Sequence, residues 1–267
     1  MKGLQVAVHE ETGGAGLADA RRALESAGYE VTGTKDPSHF QSVVPSANCA
    51  LVLTYRIAGN LIPSRLDGAY VPPVIVISPL PKDEVTRDMQ SVDVLHQVLA
   101  PAPRDRVLVR AVTHAVITDI FARLGYAADH QPDWPELVRS AIRTVASGKT
   151  RTVTRLADSV GVSRRTFERH WLRTFGADAP EPKQFCRGIW LLRILASAVS
   201  EPVLVWSRFC AGLEISWSTF RGAAVTLAGH MPSELDLARD PATIVSRVCE
   251  RAFPPELLEP VPGDEPT

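Results

Sequence analysis

Cysteine is scarce in this chain. The four residues, Cys49, Cys186, Cys210 and Cys249, are too scattered to make a CxxC or Cys/His spacing, so neither a zinc site nor a redox pair is expected and the four read as buried thiols. No GxSxG elbow and no HExxH occurs, which argues against a hydrolase or metalloprotease; the reading is of a protein that is not an enzyme and needs no cofactor and no metal. Apolar runs never approach the roughly 20 residues needed to cross a bilayer. The opening MKGLQVAVHEE turns acidic too early for a secretory signal, so a cytoplasmic, nucleoid-associated protein without a membrane partner is expected. Net charge is lacking too, at −1 from 29 basic and 30 acidic residues. That balance hides an uneven distribution: residues 148–200 carry 10 basic and 4 acidic side chains, whereas residues 201–267 carry 5 and 10.

The composition that remains, 45% hydrophobic and 22% charged over 267 residues, suits a globular chain of two ordinary domains. In the first half, short apolar runs at Leu4–Val8, Ala50–Thr54 and Val74–Ile77 alternate with helical spacing such as Leu17–Ala27. Strands alternating with helices predict βαβ units and a doubly wound parallel sheet over residues 1–126. Ligands in such sheets sit at the carboxyl ends of the strands, so the residues there decide the chemistry. The glycine-rich Thr12-Gly-Gly-Ala-Gly16 could cradle a nucleotide phosphate, but it lacks both the third glycine of GxGxxG and a P-loop lysine. A turn leading into a helix is the simpler reading.

The order of these elements resembles the receiver domain of bacterial response regulators. Its functional positions are degenerate here. The acidic pair is replaced by His9 and Glu10, the phospho-acceptor falls at Tyr55 or Thr54, Ser78 keeps the hydroxyl position, and the lysine before proline is Ala100. The resemblance therefore implies a receiver-like fold that is not phosphorylated, since neither Tyr55 nor Thr54 forms an aspartyl phosphate and no lysine neutralises one.

Residues 106–126 form a helical pattern that is apolar nearly all round, with Val109, Val112, Val116 and Ile120 on one side and Leu108, Ala115 and Leu124 among the rest. Such a helix must be covered on two faces, and a homodimer through residues 106–126 is the expectation. A polar, proline-punctuated linker is expected at 127–134, followed by a helix from an Asp133 cap with Leu137, Ile142 and Val145 on its apolar side.

The region 135–237 reads as all-α, with two helix-turn-helix signatures in tandem, LADSVGVSRRTFERHWLRTFG and VWSRFCAGLEISWSTFRGAAVTLAGHMP. In the first, Gly161 marks the turn and Ser163 caps the next helix. Phe167, Trp171 and Phe175 recur at four-residue spacing, and Arg165, Arg169 and Arg173 recur about 200° away by helix geometry. An aromatic stripe opposite an arginine stripe suits a helix in a major groove, where arginine reads guanine O6 and N7 and its neighbours hold phosphates. The candidate contacts are Ser163, Arg164, Arg165, Thr166, Arg169, His170 and Arg173. In the second signature Gly212 is expected at the turn and Ser216 as the cap of a helix to Leu227; Trp217, Ser218 and Arg221 are exposed candidates.

This layout, joined by the apolar helix FCRGIWLLRILASAV, resembles the C-terminal domain of AraC/XylS-family transcriptional regulators. The resemblance implies recognition helices at 163–173 and 216–226, double-stranded DNA as a partner, and RNA polymerase or another regulator as a further one. The second recognition helix departs from the family pattern: Gly222 stands where an arginine is usual, and Arg221 is its lone charge. Asymmetric use is expected, with Trp217 contacting thymine methyls or the second motif acting as structure. The competing reading is a DNA-free adaptor or antiactivator that binds other regulators. Residues 238–267 are expected to hold one short helix, near 242–253, and an acidic, proline-rich tail too poor in apolar residues to order.

Overall fold

A computed structural model of the chain describes residues 3–10, 15–53, 70–78, 95–99, 105–148, 152–199, 201, 205–237 and 239–258. They form an α/β region followed by a helical region, and the chain divides into two compact units with the main boundary between Asp119 and Ile120, residues 239–242 belonging to the α/β unit. The Thr12–Gly16 turn and the acidic tail lie largely or wholly outside the described residues. Among the described residues no helix is long and apolar enough to cross a membrane.

The first unit holds five parallel strands, β1 (Gln5–Glu10), β2 (Glu30–Thr34), β3 (Cys49–Leu53), β4 (Val74–Ile77) and β5 (Leu95–Leu99), in the order β2-β1-β3-β4-β5. Helix α1 (Ala15–Ser26) links β1 to β2, and α2 (Pro37–Val43) lies between β2 and β3. CALVL and VIVI are buried at every residue, because a parallel strand covered on both faces needs an unbroken apolar run rather than alternation. Edge strand β2, EVTGT, is exposed or half-buried throughout, which suits its polar sequence. Helix α2 starts where the Asp36 carboxylate accepts from the Ser38 N–H at 2.9 Å, with Pro37 in the first turn.

The amino ends of these strands are tied by a polar network. Asn48 donates its backbone N–H to Gln5 O (2.8 Å) and accepts the Gln5 N–H on Oδ1 (3.0 Å), while its Nδ2 donates to Asp119 (3.1 Å). The Tyr70 hydroxyl donates to the same fully buried carboxylate. A polar side chain that deep needs such partners.

Helix α3 (Asp105–His130) runs four residues past the expected end at 126. Ala127 and Ala128 are buried helical residues rather than linker, as good helix formers with little side-chain entropy to lose. Only Gln131–Pro135 remains as the connection. Leu108, Val109, Val112, Ala115, Val116, Ile117, Ile120 and Leu124 are all buried within the single chain. On the same helix Phe121 is half-buried and Val107 is exposed.

The helical unit continues with α4 (Glu136–Ala146), α5 (Val153–Ser159), α6 (Arg164–Phe175), α7 (Pro182–Val199), α8 (Trp206–Gly212), α9 (Trp217–Ala223) and α10 (Pro241–Ala252). Helix α4 is not capped by Asp133. Its N-cap is Pro135, which offers no side-chain acceptor, and its buried residues are Val138, Ala141, Ile142 and Val145, leaving Leu137 half-buried. Arg143 bonds Asp129 at 2.6 Å and Glu136 at 2.9 Å, and these bonds raise its pKa. The core of the unit is aromatic. Trp171 packs on Phe175 (4.6 Å between centroids) and Phe185 (4.9 Å), and Phe185 meets Phe253 (5.6 Å). Helix α7 closes on α10 at Gly188, where an added methyl group would collide with the Ala252 side chain.

Candidate nucleic-acid interface

The first motif forms as its sequence requires. Thr152 caps α5 by accepting from the Arg155 N–H at 3.3 Å. Gly161 takes φ 73°, and the turn closes with Val162 N donating to Ala157 O at 3.1 Å. Ser163 accepts from the Thr166 N–H at 3.2 Å and starts α6. Helix α6 ends at Gly176, φ 85°. Phe167, Trp171 and Phe175 are buried, and the Trp171 indole N–H donates to Pro180 O at 2.9 Å.

On the other side of α6, Arg165, Arg169 and Arg173 are exposed, and among the described residues none of them makes an ion pair. Arg164 is exposed too, but its guanidinium bonds Glu168 at 2.7 Å, one turn along the helix. The Thr166 hydroxyl is engaged with Ser163 at 2.9 Å, and His170 is half-buried, accepting from Thr174 through its carbonyl oxygen. The arginine stripe is thus the free part of the candidate set, whereas Ser163 and Thr166 spend their hydroxyls on the cap.

The second motif repeats this backbone 53 residues later. Ile215 N donates to Cys210 O at 2.8 Å, matching Val162 to Ala157, and Gly229 takes φ 75°, matching Gly176. Phe220 is buried like Phe167, and Trp206 stacks on it at 4.8 Å with its indole N–H on Leu235 O.

Three expectations are corrected here. Gly212 is the last residue of α8, not the turn; the left-handed position is Glu214, φ 55°, in register with Gly161, because the same closing bond demands it. Ser216 makes no cap bond, since its hydroxyl is held by Ser218 Oγ at 2.9 Å. The helix expected to reach Leu227 becomes a π-helical turn at Ala224–Ala228. That wider turn brings residues four apart nearly into line, and the pairs Ala223/Leu227 and Ala224/Ala228 are all buried.

In this register Arg165, Arg169 and Arg173 fall on Ser218, Gly222 and Thr226, and Arg164 falls on Trp217. The second motif thus has the shape of the first without its charge. It exposes instead Trp217 (41%), Leu213 (44%) and Val225 (45%), with Arg221 beside them.

In the α/β unit, Glu10 ends β1 and Ser78 follows β4, both buried at the carboxyl ends of their strands. His9 is buried with its ring 5.3 Å from Phe40, and the Ser78 N–H donates to Leu99 O at 3.1 Å. Thr54, Tyr55 and Ala100 lie outside the described residues. Sequence reasoning missed Thr152, Glu214 and the anchoring Trp206. A comparison at a 53-residue offset would have found Glu214, which falls on Gly161. No protein-family model matches the chain, and comparison with the curated proteins gives no match.

Proposed function

We propose that the chain is a sequence-specific DNA-binding transcriptional regulator of the AraC/XylS type rather than an enzyme. The observation that carries this reading is α6, whose exposed, unpaired arginine stripe lies opposite a buried aromatic stripe. A capped helix presented behind a tight turn, with free arginines outward, has the chemistry to enter a major groove. The second motif, neutral in the same register, serves as a structural copy that adds apolar contact through Trp217. The α/β unit is read as a receiver-like, doubly wound domain, since its strand order is the one such folds share. With His9, Glu10 and Ser78 at the strand ends, it docks partners or senses without taking up a phosphoryl group.

A specific observation favours a second reading. The apolar surface of Trp217, Leu213 and Val225 would suit a protein partner, as in an adaptor that binds other regulators. The two readings separate on the stripe. In fluorescence anisotropy with random-sequence duplex, the R165A/R169A/R173A variant should lose most binding and most of its salt dependence if α6 holds DNA. Unchanged weak binding by the folded variant would favour the adaptor.

A further inference from the structure

Between the two motifs the helical unit is hollowed into an open groove of about 460 Å³. Thr152 and Arg164 line it from the first motif, Ser216 and Glu214 from the second, and Lys183 and Arg187 from α7. Lys183 and Arg187 thus share the groove with one carboxylate, Glu214, while Arg164 is already bonded to Glu168. Lys183 and Arg187 lie one helical turn apart on the same face, both exposed, and neither makes an ion pair among the described residues. Lys183 is also the second residue of α7, where the helix dipole disfavours positive charge. A charge kept at an unfavourable helix end, with an unpaired second cation one turn along, suits an external anion rather than the stability of the helix.

We propose that this groove seats the phosphate backbone of the duplex that α6 reads, with Lys183 and Arg187 as positioning residues that neutralise phosphates. The inference rests on the DNA-binding reading above and deepens it. Arg164 belongs to both surfaces, so a backbone following the groove passes directly from the reading helix across α7 towards the second motif. Phosphate contacts set orientation and register but carry no sequence information. The groove therefore gives the second motif, which lacks the arginine stripe, a way to lie against DNA without reading it.

The test uses the full chain, a duplex that it selects from random sequence, and an unrelated duplex, with affinity measured across a salt series. The K183A/R187A variant should bind both duplexes more weakly by a similar factor, with the salt slope shallower by up to about 2, at about 0.9 for each phosphate no longer neutralised. It should select the same motif as the parent, and K183R/R187K should restore the slope. Circular dichroism matching the parent shows that the fold is kept; if K183A/R187A unfolds, K183Q/R187Q takes its place. Parental affinity and slope in the folded variant would overturn the groove proposal alone. A loss confined to the selected duplex would overturn it as well, by making these residues base readers. Absence of any DNA binding by the parent would overturn the DNA reading and the groove together.

Discussion

Glu214 occupies a backbone conformation that glycine fills in the sister motif, and it is the one non-glycine residue with positive φ among the described residues. The left-handed region costs an ordinary side chain about 1–2 kcal/mol, against about 0.5–1 kcal/mol of extra chain entropy lost by glycine. Glu214→Gly should therefore leave stability unchanged or raise it by up to about 1.5 kcal/mol, read as an equal or higher melting temperature. A clear fall would mean that the glutamate makes a stabilising interaction that outweighs its strain. The cysteines give a second test at this scale. All four are buried, and desolvation raises each thiol, pushing Cys186 up to about 12. Since the thiolate is the reactive form, the folded chain should resist iodoacetamide at pH 8 and take it up at all four positions in denaturant. Rapid labelling of the native chain at one of them would contradict the burial.

At the scale of elements, α6 was legible because its two stripes are periodic and its caps are local: Gly161, Ser163 and the Phe167/Trp171/Phe175 series each announce themselves within a few residues. The second motif was legible only as a repeat. Its turn position carries glutamate where glycine is the usual marker, and its serine bonds a side chain instead of the helix, so local signals pointed two residues away, to Gly212. Arg169→Ala should weaken binding to the selected site by about 1–3 kcal/mol and relax selectivity at one base pair, as read by competition with point-substituted duplexes. An equal loss on every sequence would make Arg169 a phosphate contact. The α7 to α10 packing has its own test at Gly188, whose added methyl would meet Ala252. Overpacking of this kind typically costs about 1–3 kcal/mol, so Gly188→Ala should lower the urea midpoint of the helical unit while Gly222→Ala, with open space around it, should not.

Over the whole molecule, the change from α/β to all-α was readable from the switch between strand-like apolar runs and helical periodicity. The extent of α3 was not. An apolar helix looks the same in sequence whether a second chain or its own chain covers it, and Ala127-Ala128 reads as polar linker only because Asp129, His130 and the prolines follow. Leu108, Val109, Val112, Val116, Ile120, Leu124 and both alanines are buried within the one chain, which the sequence pattern alone did not distinguish from burial by a second copy. In the proposed reading one motif reads bases, and the other repeats its backbone without the arginine stripe. In vitro selection from random duplex DNA by the full chain distinguishes one reading helix from two. A single short block of enriched bases is expected, because α6 carries an exposed stripe of three arginines and the second motif's helix has Arg221 alone. Two blocks centred about 10–10.5 base pairs apart would contradict it by making both motifs readers, and no enrichment at all would contradict the assignment to DNA.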